Sequence, residues 1–260
     1  MEKDHIKKYW ENQGKEHQES HWASWGDNWI IDLEIENISQ YIKDGDSVLD
    51  VGCANGYSTF RQYEQHKLDS IIGVDFADNM INVAKDRLNK IPDKPNNILF
   101  NQGDIRNLEF ENDKFDVVYT TRVIINLPTW EEQVSAIKEC IRVAKPNGKI
   151  ILSEGFWEPL MLLNSMRLLV NLKPLVEHDF NRYFKKSNVA ELMSELNLEY
   201  EIIDFSSIYY LGSRLLRELV TDFEKYDGFT NPINEIFANI QKEYKGGGMG
   251  IQQAIVITKS

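Results

Sequence analysis

The 260-residue chain carries 41 acidic against 29 basic residues, a net charge of -12 and a pI near 5.0. A surface this acidic repels a polyphosphate backbone, so nucleic acid is not the expected partner. Hydrophobic residues at 42% and charged residues at 27% exclude general disorder and suit one long domain or a domain with an embedded cap.

No apolar run approaches the ~20 residues of a membrane span, and Met1 to His5 lacks the apolar core of a signal peptide. The expectation is a cytoplasmic protein without membrane contact. The two cysteines, Cys53 and Cys140, stand apart with no CxxC motif or Cys/His cluster, which predicts free thiols and no metal centre.

Residues 1–46 are rich in aromatics, with Trp10, Trp22, Trp25 and Trp29. Two readings stay open. The aromatics pack an N-terminal helical segment onto the rest of the fold, or the stretch His21 to Asp27 folds over a bound ligand and excludes water, a task that suits indole rings. Helical spacing of Trp29, Ile30, Leu33, Ile38 and Tyr41 predicts a helix over 28–42.

The stretch Ser47-Val48-Leu49-Asp50-Val51-Gly52-Cys53-Ala54-Asn55-Gly56-Tyr57-Ser58 reads as strand, tight turn and helix. Glycines are needed where a parallel strand feeds a helix, because the backbone turns sharply and a ligand must approach it. Ser70 to Asp75 is a second apolar run ending in an acid, about twenty residues beyond the glycines, and Phe76 and Met80 open the next helix. Ile98 to Ile105 is a third strand closing in Gly103-Asp104-Ile105.

These stretches resemble, in order, the motifs of the class I S-adenosylmethionine-dependent methyltransferases, with Ala54 in the slot of the middle glycine. The resemblance implies an α/β fold: a Rossmann-like seven-stranded mixed sheet, helices on both faces, an antiparallel last strand and helical cap insertions. It implies S-adenosylmethionine as cofactor, held by Asp50, Gly52, Cys53, Ala54, Asn55, Gly56 and Ser58 in the first loop. Asp75 would accept the ribose hydroxyls, Phe76 and Met80 would face the adenine, and Gly103, Asp104 and Ile105 would receive its edge. Trp25 would close over this site.

Phe115 to Arg122 is the fourth strand, and the family places the methionine moiety and catalytic groups at its end, which points to Thr121 for the cofactor and Arg122 for catalysis. Helix 130–143 ends at Lys145-Pro146-Asn147-Gly148, where Asn147 tolerates a left-handed turn, and Lys149 to Glu154 is the fifth strand. Residues 47–155 thus form the cofactor core, and 156–186 an acceptor cap with a helical run over 160–172.

In residues 187–260, Ser187 is the expected cap of helix 188–196, Tyr200 to Tyr210 the sixth strand, and 211–245 a second helical insertion beginning with an amphipathic run from Leu211 to Phe223. A glycine hinge, 246–250, leads to the last strand from Ile251.

An alcohol acceptor needs a base, for which His178 is the candidate, with Glu154 at a strand end as another. Arg182, Lys185 and Lys186 cluster beside His178 in an otherwise acidic chain; with Trp22, Asn181 and Tyr183 they would bind the acceptor. A solvated basic face is the alternative. The stretches Trp22 to Asp27, His178 to Phe184 and Gly250 to Gln253 resemble, more weakly, bacterial methyltransferases of surface-polysaccharide gene clusters, which implies an anionic, phosphorylated, phosphoramidate or nucleotide-linked acceptor and O-methylation during capsule biosynthesis. Competing readings are a small-molecule N- or O-methyltransferase of secondary metabolism, an NAD-dependent oxidoreductase, and a non-catalytic cofactor-binding partner; a homodimer is possible on any of them.

Overall fold

The computed structural model describes residues 3–221 and 228–260. The chain begins with α1 (Lys3–His17), a 3-10 turn at His21–Ala23 and α2 (Asn28–Ser39), then enters the sheet. β1 (Ser47–Val51), α3 (Tyr57–Gln65), β2 (Ser70–Asp75), α4 (Asp78–Asn89) and β3 (Ile98–Gln102) follow. β4 (Phe115–Thr121), a 3-10 turn at Ile124–Asn126, α5 (Trp130–Val143) and β5 (Ala144–Gly155) complete the parallel part. The rest comprises α6 (Trp157–Leu169), α7 (Lys186–Leu196), β6 (Tyr200–Ile203), α8 (Ser207–Leu211), a π-helical turn at Gly212–Leu216, α9 (Arg217–Val220), α10 (Pro232–Glu243) and β7 (Gln252–Thr258).

The seven strands lie in the order β3-β2-β1-β4-β5-β7-β6. β7 is antiparallel to both neighbours, while β1 to β5 pair in parallel. The chain winds outward from β1 to β3 and then returns to the other side of β1, so the strand order reverses between β1 and β4. That reversal opens a crevice at the carboxyl ends of the strands.

Strand alternation explains the two cores. Val48 and Ile71 enter one apolar cluster, shared with α2, α3, α4, α6, α8 and α10, while Leu49 and Ile72 enter another beneath α5 and α7. Each such side chain, fully removed from water, contributes about 1.5–3 kcal/mol before ordering costs. Cys53 and Cys140 are buried free thiols. Among the described residues no helix is long and apolar enough to cross a membrane.

Several sequence expectations are corrected. The sixth strand stops at Ile203, because the Asp204 carboxylate gathers the Ser206 and Gly248 amides and the Ser207 hydroxyl, turning the chain into α8. The same carboxylate ties down the glycine stretch, which therefore is a held turn with Gly246, Gly247 and Gly248 at positive φ, not a free hinge.

Ser187 does not cap α7. That helix starts at Lys186, whose amide is taken by Glu158 from α6. The run expected over 160–172 is helical from Trp157 and ends at Leu169. Leu211 to Phe223 is no single helix: it breaks into the π turn and α9, and Phe223 lies outside the described residues, as do Met1 and Glu2. Asn147 does adopt a left-handed conformation, φ 63°.

Candidate active-site cleft

Over the carboxyl ends of β1, β2 and β4 lies a cleft with about 1140 Å³ of empty space, part of it open to solvent. Asp50, the last residue but one of β1, lies at the cleft floor, fully buried. Its Oδ2 accepts from the Thr59 hydroxyl at 2.6 Å, while Oδ1 meets no well-aligned donor among the described residues. Burial pushes this carboxyl up to about 7, against the pull of the Thr59 and Tyr119 hydroxyls.

Asp75, at the end of β2, is buried and held at both oxygens: Oδ2 accepts the Ala54 amide and Oδ1 the Ala77 amide, each at 2.9 Å. Burial raises it to about 6 despite those bonds. Each oxygen keeps a lone pair for a further donor. The pair of amides also ties the glycine loop to the start of α4.

The loop itself requires its residue types. Gly52 has φ 79°, and a Cβ there would lie 2.1 Å from a Val123 methyl. Gly56 has φ 77° and starts α3. Ala54, in the middle glycine slot, also takes the left-handed conformation, φ 47°, at a steric cost a glycine would not bear. Asn55 is buried beside the cleft, but its amide donates to the Gln18 and Ser20 carbonyls at 2.7 and 2.8 Å, so it fastens the N-terminal segment to the loop.

Of the residues expected at the cofactor, Asp50, Gly52, Cys53, Ala54, Asn55, Ser58, Asp75, Phe76, Met80, Gly103, Asp104, Ile105 and Thr121 all line this cleft. Gly56 and Trp25 do not. The Asp104 carboxylate is already engaged by the Arg106 amide and guanidinium.

The N-terminal segment contributes to the cleft wall through Ser24, from the stretch His21 to Asp27 expected there, and through two residues of α1 that were not singled out for it. Ile6, Trp10 and Ser24 line it, whereas Trp22 sits 38% exposed against Phe229 and Trp25 stacks behind Arg122. Trp10 donates to Asn126, which donates in turn to Asn181 at 3.0 Å, so Asn181 supports the wall without forming it. Glu11 caps α4 from a distance, accepting the Asp78 and Asn79 amides at 2.8 and 2.9 Å.

The expected base and anion site are not assembled here. Glu154 does not face the cleft: it is fully buried, accepting from the Thr120 hydroxyl and the amides of Val123, Ile124 and Ile125, and desolvation holds it near 7. It organises the turn after β4. His178 is exposed, with its ring against Tyr9 and Phe180.

Arg182 is exposed and donates to the carbonyls of Asp179 and Asn181; Lys185 lies near Trp157 and Lys186 near Phe156. None of the three lines the cleft, so the basic cluster does not converge on it. Tyr183 packs on Gly155 and gives its amide to Glu177. Of the expected catalytic residues only Arg122 reaches the cleft wall.

A family model described as a methyltransferase domain matches residues 42–208. The chain belongs to that family. It is an S-adenosylmethionine-dependent methyltransferase with the seven-stranded sheet described above. The methyltransferase is 28% identical over 194 residues to the demethylmenaquinone methyltransferase of Lactococcus lactis subsp. lactis (strain IL1403), covering 71% of this chain and 70% of that one. It is 28% identical over 178 residues to the ubiquinone biosynthesis O-methyltransferase of Nitrosospira multiformis, covering 65% and 71%. Among solved structures, geranyl diphosphate C-methyltransferase from Streptomyces coelicolor A3(2) superposes with a TM-score of 0.58 at 14% identity, covering 88% of this chain and 79% of that one, which is a likeness of fold.

Proposed function

We propose that this methyltransferase holds S-adenosylmethionine in the cleft over β1, β2 and β4 and methylates an oxygen of a small molecule that enters beside Arg122. The observation that carries the reading is Asp75, buried at the strand end with each oxygen fixed by one backbone amide and one lone pair left. A vicinal ribose diol offers the two donors such a carboxylate lacks. Asp50, whose Oδ1 is without a well-aligned donor, suits a cationic amino group, and Phe76, Met80 and Ile105 give an adenine ring its apolar walls.

When bound, the cofactor supplies an activated methyl on a sulfonium sulfur. The protein's contribution is then alignment and dryness: the glycine loop fixes the floor, and Ile6 and Trp10 of α1 close the top. Among the described residues the carboxylates on the cleft wall are Asp50, Asp75 and Asp104; the first two are assigned above to the cofactor and the third is engaged by Arg106, which leaves no carboxylate there free to act as base on the acceptor. An acceptor that arrives already ionised, or loses its proton easily, fits this wall better than an aliphatic alcohol.

The capsule-precursor reading rested on a weak resemblance and on Arg182, Lys185 and Lys186 together with Arg122; of these four only Arg122 lines the cleft, and nothing in the relatives supports a capsule or sugar acceptor. A second reading, an aromatic ring acceptor of the quinone kind, is favoured by the relatives named for menaquinone and ubiquinone synthesis. Calorimetric binding of S-adenosylhomocysteine tests the cofactor site. Incubation with methyl-labelled S-adenosylmethionine and a small-molecule extract, followed by mass spectrometry, tests the acceptor: label in a phenolic or quinol compound favours the second reading, and label in protein or nucleic acid sinks both.

A further inference from the structure

Two basic side chains line the cleft among the described residues, Arg106 and Arg122. Arg106 is committed: its guanidinium reaches both oxygens of Asp104 and pairs with Glu132 at 2.8 Å. Arg122 is different. Its Nε donates to Glu34 at 3.2 Å, and neither Nη makes a hydrogen bond among the described residues. The guanidinium carbon lies 4.6 Å from the Trp25 ring centroid, so one face is stacked and the inner edge is bound, while the two Nη groups remain.

The protein invests in this arrangement. Arg122 has φ 56°, a left-handed conformation uncommon for a long side chain, and its amide is fixed by the Ser153 carbonyl at 2.8 Å. Glu34 is only 1% exposed and is held in turn by the Gln252 side-chain amide from β7, 218 positions away. A strained backbone, an aromatic platform and a buried counter-ion fix the direction of one guanidinium at the end of β4. Arg142 and Arg167, away from the cleft, each donate from both Nη atoms.

Building on the methyltransferase reading, we propose that the two Nη groups of Arg122 are the docking fork for a delocalised oxyanion, a carboxylate or phenolate, on the methyl acceptor, with Glu34 as its positioning residue. A planar fork matches two oxygens, or one oxygen with its ring, where a lysine would offer only a point charge. In a chain of net charge -12 a fork on the cleft wall whose two Nη groups face no carboxylate among the described residues also gives selectivity, since the surrounding surface disfavours anions. The cofactor has a carboxylate of its own, so the test separates the two sources of the same chemistry.

The probes are benzoate and its neutral isostere benzamide, titrated by calorimetry into protein saturated with S-adenosylhomocysteine. The expected result is benzoate binding at least about tenfold tighter than benzamide, a preference lost in Arg122→Met and partly kept in Arg122→Lys. The double variant Arg122→Met with Glu34→Gln guards against misfolding from an unpaired buried carboxyl and should lose the preference equally. A benzoate preference that is absent in the wild type, or unchanged in Arg122→Met, overturns the proposal.

In the same samples S-adenosylhomocysteine is compared with 5′-methylthioadenosine, which lacks the carboxylate. If Arg122→Met weakens the first and spares the second, the fork holds the cofactor and the acceptor assignment falls. Failure of the wild type to bind S-adenosylhomocysteine strikes the cofactor reading instead, and the benzoate series is then read on the unliganded protein.

Discussion

The floor of the cleft and its roof are built on different rules. On the floor, Asp50, Gly52, Ala54 and Asp75 lie within 26 positions of one another, and their side-chain bonds span at most 21: Asp75 to Ala54 and Ala77, Asp50 to Thr59. In the roof and the insertions behind it, the bonds leap. Asp27 joins Arg214 and Tyr209 at 2.5 Å across 187 and 182 positions, Glu34 reaches Gln252, and Trp10 reaches Asn126. A site made of local bonds can be read from its sequence; a site made of distant ones must be seen. The difference also separates what each half does: floor residues should govern affinity for the cofactor, and the distant pairs should govern the stability of the roof.

The sharpest way to break this comparison is in the roof. Asp27 is fully buried, and Arg214→Met leaves it with the Tyr209 hydroxyl alone. Removing one member of a buried ion pair is expected to cost about 4 kcal/mol in urea unfolding, with affinity for S-adenosylhomocysteine nearly unchanged. Asp75→Ala should do the converse, weakening S-adenosylhomocysteine about 100-fold by calorimetry while leaving the circular dichroism of the sheet intact. If both variants lost both properties together, floor and roof would be one cooperative unit and the distinction would fail.

Acidity sharpens the comparison further. Glu34, Asp50 and Glu154 are all raised to about 7 by burial. Carboxyls whose folded value lies above the unfolded one bind more protons in the native state, so their stabilisation is complete below about pH 4 and is lost as pH rises through 7. The protein should therefore be more stable to urea at pH 5.5 than at pH 7.5. Glu34→Gln should flatten that slope by about 2 kcal/mol, since a single group shifted this far carries at most about 3. The smallest expected effect is Ala54→Gly, a gain of about 0.5–1 kcal/mol in the same unfolding assay from relief of the left-handed alanine.

The sheet was legible where strands announce themselves by apolar runs ending in a residue with a reason to be there, as β1 and β2 do, and less so at β5, which begins at Ala144 across the expected turn, and at β6. Gly52 and Asp75 show this best: turn geometry and ligand chemistry demand the same residue types at the same spacing. His178, Lys185 and Lys186 misled because a cluster along the chain is no evidence of a cluster in space; their side chains leave the loop towards different neighbours. The place of Trp10 has a signal in the sequence: Ile6, Trp10 and Gly14 recur on one helical face, with Gly14 letting α1 close on Asn79 and Met80. Glu34 left no trace in the sequence. Nothing in a polar residue amid an amphipathic helix says that a strand 218 positions later will hold it.

The capping of α4 by Glu11 ties two events together. Helix starts are ordinarily finished by the residue just before them, but here the carboxylate that satisfies the Asp78 and Asn79 amides arrives from α1, 67 and 68 positions earlier. The same helix lays Ile6 and Trp10 across the mouth of the cleft. A ligand path that required α1 to lift would bare those two amides to water, so faster hydrogen exchange at Asp78 and Asn79 without ligand than with it is the expected mark of such an opening. Its rate, slowed by S-adenosylhomocysteine, would set a ceiling on how fast ligands can come and go.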